Sequence, residues 1–239
     1  MSISRTALCA MVFACIVVSG ARAQSGSEFR CAEPANEAQR IICADPELVA
    51  LNDQVAARYA ELRVRLADDI ALALRNDQRA YWAHRDAIPA AVRSARERHK
   101  ALAILLDARE RFLNAVSEQD QPGLVGRWGN VYGDVSIDDD GYHHSRGEFA
   151  KGTYAIDAST MDPGIGRWLC LVRITPTVPR DGLIDFTPSN VPPGWKLLMK
   201  RVGPLLSVEQ VSPDGEPQPW PFCGDAGGSV AGLYLRKKP

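Results

Sequence analysis

His143 and His144 follow Asp138, Asp139 and Asp140 within one seven-residue stretch, a set of imidazoles and carboxylates of the kind that holds divalent metals. Adjacent residues on a strand point to opposite faces, so the two histidines cannot easily share one ion, and a solvated hairpin accounts for the stretch without a metal. Gly227-Gly228-Ser229-Val230-Ala231-Gly232 has the outline of a nucleophile elbow. Its closing glycine stands one place late, however, and no strand-turn-helix pattern surrounds it. His84 and His99 fall in helical patterns where packing or solvent explains them. No phosphate loop and no paired-carboxylate motif occurs, so the expectation is a non-enzymatic protein with no catalytic residue, metal or cofactor.

A second group points to contacts rather than catalysis. Gln78, Trp82 and Arg85 stand at i, i+4 and i+7, on one face of a helix, with Asp86 beside them. A tryptophan next to an arginine would make a protein-binding hot spot. The same residues could instead close a small bundle, with Trp82 in its core and Gln78 and Arg85 satisfying buried carbonyls or the Asp53 carboxylate.

The elements that must position these groups divide the chain in two. Phe29 to Glu118 contains three prolines and no glycine and is dense in Ala, Leu, Arg and Glu; after Gln121, prolines and glycines crowd between short β-prone runs. The break falls at residues 119–123, between a helical segment over 24–118 and a β-rich segment over 124–239. Asn36 and Gln39 open a short helix ending near Cys43, and Asp45-Pro46 starts a second one. Along that helix Leu48, Leu51, Val55, Tyr59, Leu62 and Leu66 form one apolar stripe. A third begins at Asp68-Asp69, carries Leu74, Gln78, Tyr81, Trp82 and Arg85, and is expected to be interrupted at Pro89. The last runs from Val92 through Ala95, His99, Leu102, Leu106, Arg109 and Leu113 to Val116. Three long helices with facing stripes make an antiparallel bundle.

In the β-rich segment, Leu124 to Trp128 and an alternating run from Val131 to Ile137 precede the hairpin signal Asp139-Asp140-Gly141. Further strands are expected near 147–156, 168–175, 183–186, 195–202, 205–211 and 229–235. Seven or so short strands imply an antiparallel sandwich or barrel, so the fold class is α+β. Gly126-x-Trp128 at its start is geometry that small barrels share, lipocalins included.

Composition removes some partners and suggests a compartment. The 239 residues carry 28 Lys+Arg against 29 Asp+Glu, too balanced for a nucleic-acid binder that relies on bulk positive charge. Arg5, the apolar run from Ala7 to Val18 and Ala21-Arg22-Ala23 read as a secretory signal peptide over residues 1–23, cleaved after Ala23. The apolar run is too short to span a membrane. Val12-Phe13-Ala14-Cys15 offers a rival lipoprotein reading, with Phe13 a poor fit. Past residue 23 four cysteines remain, Cys31, Cys43, Cys170 and Cys223, for which three pairings exist. One bridge in each segment, Cys31–Cys43 and Cys170–Cys223, is favoured, in an oxidising compartment.

Phe29-Arg30-Cys31, Ile42-Cys43-Ala44-Asp45-Pro46-Glu47-Leu48, Leu51-Asn52-Asp53, Tyr59, Gln78-Arg79-Ala80-Tyr81-Trp82 and Arg85-Asp86 occur in an order that resembles the N-terminal domain of the lysozyme inhibitor LprI family. The resemblance covers Phe29 to about Asp86. It implies a secreted or periplasmic bacterial helical module with a Cys–Cys clasp at its start, named for a member that inhibits lysozyme. Family members commonly carry a cysteine shortly after the Trp-x-x-Arg-Asp element; here Ala87-Ile88-Pro89 follows instead. The expected partner is a lysozyme-type muramidase or another envelope protein, with no nucleic acid and no membrane span. The alternative is an envelope ligand-binding module whose aromatic rim is Trp195 and Trp220, in the Gly/Pro-rich loops of the β-rich segment.

Overall fold

The computed structural model of the chain describes residues 29, 31–139, 153–177, 179–187, 193–214, 223 and 228–239. The expected leader, Asp140, His143, His144, Trp220 and Gly227 lie outside the described residues. Among the described residues four helices come first: α1 (Glu37–Cys43), α2 (Pro46–Arg65), α3 (Asp68–Ala91) and α4 (Ala95–Ala115). Eight strands follow among the described residues: β1 (Gly126–Asn130), β2 (Gly133–Asp138), β3 (Tyr154–Met161), β4 (Leu169–Thr177), β5 (Leu183–Phe186), β6 (Lys196–Val202), β7 (Leu205–Val211) and β8 (Gly232–Arg236). The fold is α+β, helices leading into an antiparallel barrel-like sheet.

The helix starts follow local chemistry. Asn36 Oδ1 accepts the Gln39 N–H at 3.0 Å, and Gln39 Oε1 reaches back to the Ala35 N–H at 2.7 Å. These two bonds satisfy donors that a free helix end would leave to solvent. Asp45 Oδ1 accepts from the N–H groups of Glu47 and Leu48 at 2.8 and 3.3 Å, with Pro46 in the first turn where it loses no hydrogen bond. Ser94 caps α4 by accepting the Glu97 N–H at 3.1 Å.

Two helix boundaries differ from the sequence expectation. Pro89 does not interrupt α3, which continues to Ala91. A proline in the last turn removes one backbone bond, and here Ile88 (0% exposed) and buried Pro89 are held in place by packing, which outweighs that local loss. The chain breaks instead at Val92, which is extended and donates its N–H to Ile88 O at 3.0 Å, so α4 begins three residues later than its apolar spacing suggests.

The bundle core comes from the predicted stripes: Leu48, Val55, Tyr59 and Leu62 of α2, Leu74, Tyr81 and Ile88 of α3, and Leu102, Leu106 and Leu113 of α4. Ala38 and Ile42 of α1 complete it, held by the Cys31–Cys43 bridge.

The strands form one sheet in the order β4-β3-β2-β1-β8-β7-β6-β5, every pair antiparallel. Because β8 pairs with β1, the sheet curls almost closed, with β4 and β5 facing each other across the remaining seam. Alternation sends Val135 and Ile137 of β2, Ile156 and Ala158 of β3, and Leu197 and Met199 of β6 inward. Trp128, fully buried, joins them; its Nε1 donates to Leu124 O at 2.9 Å and the Arg236 guanidinium lies 4.6 Å from its ring centroid. Gly126 makes that stacking possible, because a Cβ there would lie 2.5 Å from Arg236 Nη2 and its φ is +132°. Cys170 of β4 is bridged to Cys223.

Bundle and barrel share a surface. Leu205 and Leu235 are part of the helical core, and Val131 of the β1–β2 turn packs against it. The C-terminal strand is stitched to the end of α4: Ser117 N–H donates to Arg236 O at 2.8 Å, and Lys238 N–H to Ala115 O at 2.7 Å.

Candidate functional site

Of the helix-face residues singled out in the sequence, Gln78 and Arg85 face inward. Gln78 is 1% and Arg85 3% exposed. Gln78 Oε1 accepts from Arg109 Nε at 2.8 Å and from Arg109 Nη2 at 2.6 Å. Arg109 Nη1 pairs with Asp77 Oδ2, and Asp77 Oδ1 accepts the Val131 N–H at 2.7 Å. Arg85 donates from Nε to Asp86 Oδ1 at 2.8 Å and lies 4.9 Å from the Phe29 ring centroid. Neither Gln78 nor Arg85 uses Asp53, which is exposed. The expected role for that carboxylate is corrected: it stands one position off the buried face that Asn52 occupies. Trp82 is half-buried rather than central and meets Tyr59 edge-on at 5.9 Å. The void between α2 and α3 bounded by Asn52, Tyr59, Gln78, Trp82 and Arg85 is about 10 Å³, the size of one water. This face holds helices together and leaves no room for a ligand.

Asp45 and Pro46 likewise act at the start of α2, and Leu48 is buried beside them. The Asp45 carboxylate is held below its usual range first by the hydrogen bond to His99, 2.6 Å away on α4, and then by the backbone N–H groups that it caps. His99 is thus a surface tie between α4 and the first turn of α2.

Open space lies where the bundle meets the barrel. A cleft of about 370 Å³ runs between α4 and the β1–β2 turn, walled by Leu105, Ala108, Phe112, Val131, Tyr132 and Met161. Among the described residues, the charged side chains Arg109, Arg111, Asp134 and Lys237 also line it. Ile104 and Gly164 also line a separate hollow of about 550 Å³ beside Arg93, Glu97 and Lys100. A third depression, about 600 Å³, lies on the outer face of β1 to β4, where Arg127, Arg173 and Lys237 alternate with Asp134 and Asp157.

Below the cleft, α3 meets the β3–β4 loop. His84 Nδ1 lies 3.8 Å from Asp162 Oδ1, and the other oxygen of Asp162 accepts from Arg167 Nε at 2.5 Å. Asp162 is 1% exposed, and its Oδ1 has no hydrogen-bond partner among the described residues. Tyr132 meets His84 edge-on at 5.3 Å and packs against Trp168. Burial lowers the His84 pKa; Asp162 pulls the other way but does not overcome it. Burial, with Asp77 and Asp162 adding to it, raises the Tyr132 phenol.

Trp195 is 8% exposed and packs in the barrel core with Leu197 and Met199, so it is not part of an aromatic rim. Its place one residue before β6 puts it among the inward-facing residues of the sheet. Among the described residues no cluster of three or more His, Cys, Asp or Glu side chains is placed to hold a metal, and no helix is long and apolar enough to cross a membrane. The two disulfides fit an oxidising environment.

Sequence reasoning passed over Asp77, Tyr132 and Asp162, and placed Arg109 only as one position in a stripe. Arg109 did carry a signal: an arginine between Leu106 and Leu113 on an apolar face requires a buried counter-charge. The partner could not be named, because Asp77 lies on another helix. Compared with protein-family models, with curated proteins and with solved structures, the chain matches none.

Proposed function

We propose that this chain is an exported bacterial binding protein of the LprI type, a non-enzymatic antagonist of lysozyme-like muramidases acting in the periplasm or outside the cell. The observation that carries the reading is the ordered set Cys31, Cys43, Asp45-Pro46, Tyr59, Gln78, Trp82 and Arg85-Asp86, which packs into one module. Cys31–Cys43 is a clasp, Asp45 a helix cap, Gln78 a buried contact between α3 and α4, and Arg85 is buried against Phe29 and Asp86. Binding would therefore fall to surfaces outside the motif. Arg93 and Lys100, both exposed beside the hollow near the start of α4, are cations that would meet the carboxylates of a muramidase cleft under this reading.

The reading predicts that the purified chain slows lysis of bacterial cells by lysozyme in a dose-dependent way. No protection at large molar excess over several lysozyme classes overturns it. A second reading, an envelope module that binds a small ligand, loses Trp195 from its rim but gains the cleft between α4 and the β1–β2 turn.

A further inference from the structure

We propose that the cleft between α4 and the β1–β2 turn binds a small amphipathic anion, a medium-chain or monocyclic aromatic carboxylate, with its apolar body against Leu105, Phe112 and Val131 and its carboxylate at the rim by Arg111 and Lys237.

Three independent features converge there. At about 370 Å³ the cleft lies in the range of small-molecule sites, roughly 300–1,000 Å³, and its walls are mostly apolar and aromatic. Two of the large apolar side chains that face solvent, Ile104 (49% exposed) and Met161 (48%), stand on its walls, so an occupant with an apolar body would cover surface the fold leaves wet. Among the described residues, three of the four charged groups lining it are cationic, and the acid, Asp134, is already paired with Lys237 at 2.8 Å.

The arrangement also fixes the sign and the orientation of the ligand. Arg109 is buried and occupied by Gln78 and Asp77, so the deep wall offers little to a second charge. Arg111 is 69% exposed, and its bond to Asp107 is a surface pair of the kind that contributes little and exchanges readily. The Lys237 side chain is 19% exposed but ends on a well-solvated carboxylate, since Asp134 is 60% exposed. A carboxylate at the rim can therefore recruit both cations while the apolar body leaves water. The barrel interior is not the site favoured here, because Trp128, Tyr234, Leu197 and Met199 fill it.

The test is isothermal titration calorimetry of the full chain with sodium decanoate, and with decan-1-ol as the uncharged probe. Saturable one-to-one binding of decanoate is expected, roughly tenfold tighter than the alcohol. Ala108 is exposed on the wall of the cleft, so Ala108→Trp should fill it with the melting temperature unchanged and weaken decanoate by roughly tenfold or more. Arg111→Gln with Lys237→Gln should remove the preference for decanoate over the alcohol. Absence of saturable binding, or binding untouched by Ala108→Trp in a chain that melts normally, overturns the proposal. It does not rest on muramidase antagonism: the Ala108→Trp chain can be assayed against lysozyme separately, and either reading can fail alone.

Discussion

Arg109 of α4 donates two hydrogen bonds, from Nε and Nη2, to the single side-chain oxygen of Gln78 on α3. The same guanidinium pairs with Asp77, and Asp77 in turn accepts the Val131 N–H of the β1–β2 turn. One buried charge network thus ties helix to helix and bundle to barrel. Its members cannot be removed singly without leaving a buried charge or donor exposed to nothing.

Asp77→Ala strands the Arg109 guanidinium and the Val131 N–H together. The expected loss is about 3–5 kcal/mol, the range for a buried pair broken from one side. Urea denaturation checks it. A loss below about 1 kcal/mol would show that water replaces Asp77 and that the network is not buried in solution.

Gln78→Ala and Arg85→Ala should each lower the melting temperature markedly, and Trp82→Ala less, because Trp82 is only half-buried. If lysozyme antagonism is found, these variants should keep it in proportion to the fraction folded. A variant that melts like the parent yet loses antagonism would turn the motif from scaffold into contact surface.

Acidification should weaken the fold through His84. Its folded pKa lies below the unfolded value, so the unfolded chain binds more protons and stability rises with pH. The contribution is complete above about pH 6.5, the ordinary histidine value, and is lost as pH falls through the folded pKa. Melting curves between pH 7.5 and pH 5 should therefore shift downward, and His84→Gln should flatten the shift. An unchanged slope in that variant would place the titration elsewhere.

Tyr81 is fully buried, burial pushes its phenol up to about 12, and its hydroxyl has no hydrogen-bond partner among the described residues. Tyr81→Phe removes that orphan while keeping the ring against Arg109. Stability should rise by about 1 kcal/mol or stay level. A clear loss would reveal a water or a protein group bonded to the hydroxyl.

Replacing Cys31 and Cys43 together by serine should cost about 3 kcal/mol, and replacing Cys170 and Cys223 about 4 kcal/mol, since the second bridge closes the longer loop, 53 residues apart against 12. Denaturation of the two double variants gives the ranking directly; the reverse order would show that the β-rich segment keeps structure around Cys223 when unfolded.

Taken alone, the sequence was sufficient for whatever depends on near neighbours. Asp45-Pro46 starts a helix because a carboxylate and a proline satisfy the first turn from within five residues, and the spacing from Leu48 to Leu66 names the buried face of α2 because 3.6 residues make a turn. Strands β5 and β7 fall on the short β-prone runs at 183–186 and 205–211 that the sequence marks between its glycines and prolines. Tertiary structure decided whatever depends on distant groups. Pro89 stays helical because the bundle packs around it, Gln78 finds Arg109 rather than Asp53 across 31 residues, and Trp195 is inside because of where β6 enters the sheet. The cleft itself has no local signature, for its walls come from α4, the β1–β2 turn and the end of β3, and the pairing of β8 with β1 together with the stitching of β8 to the end of α4 brings them together. Periodicity fixes which face of an element is apolar; which other element covers that face is settled by packing of the whole chain.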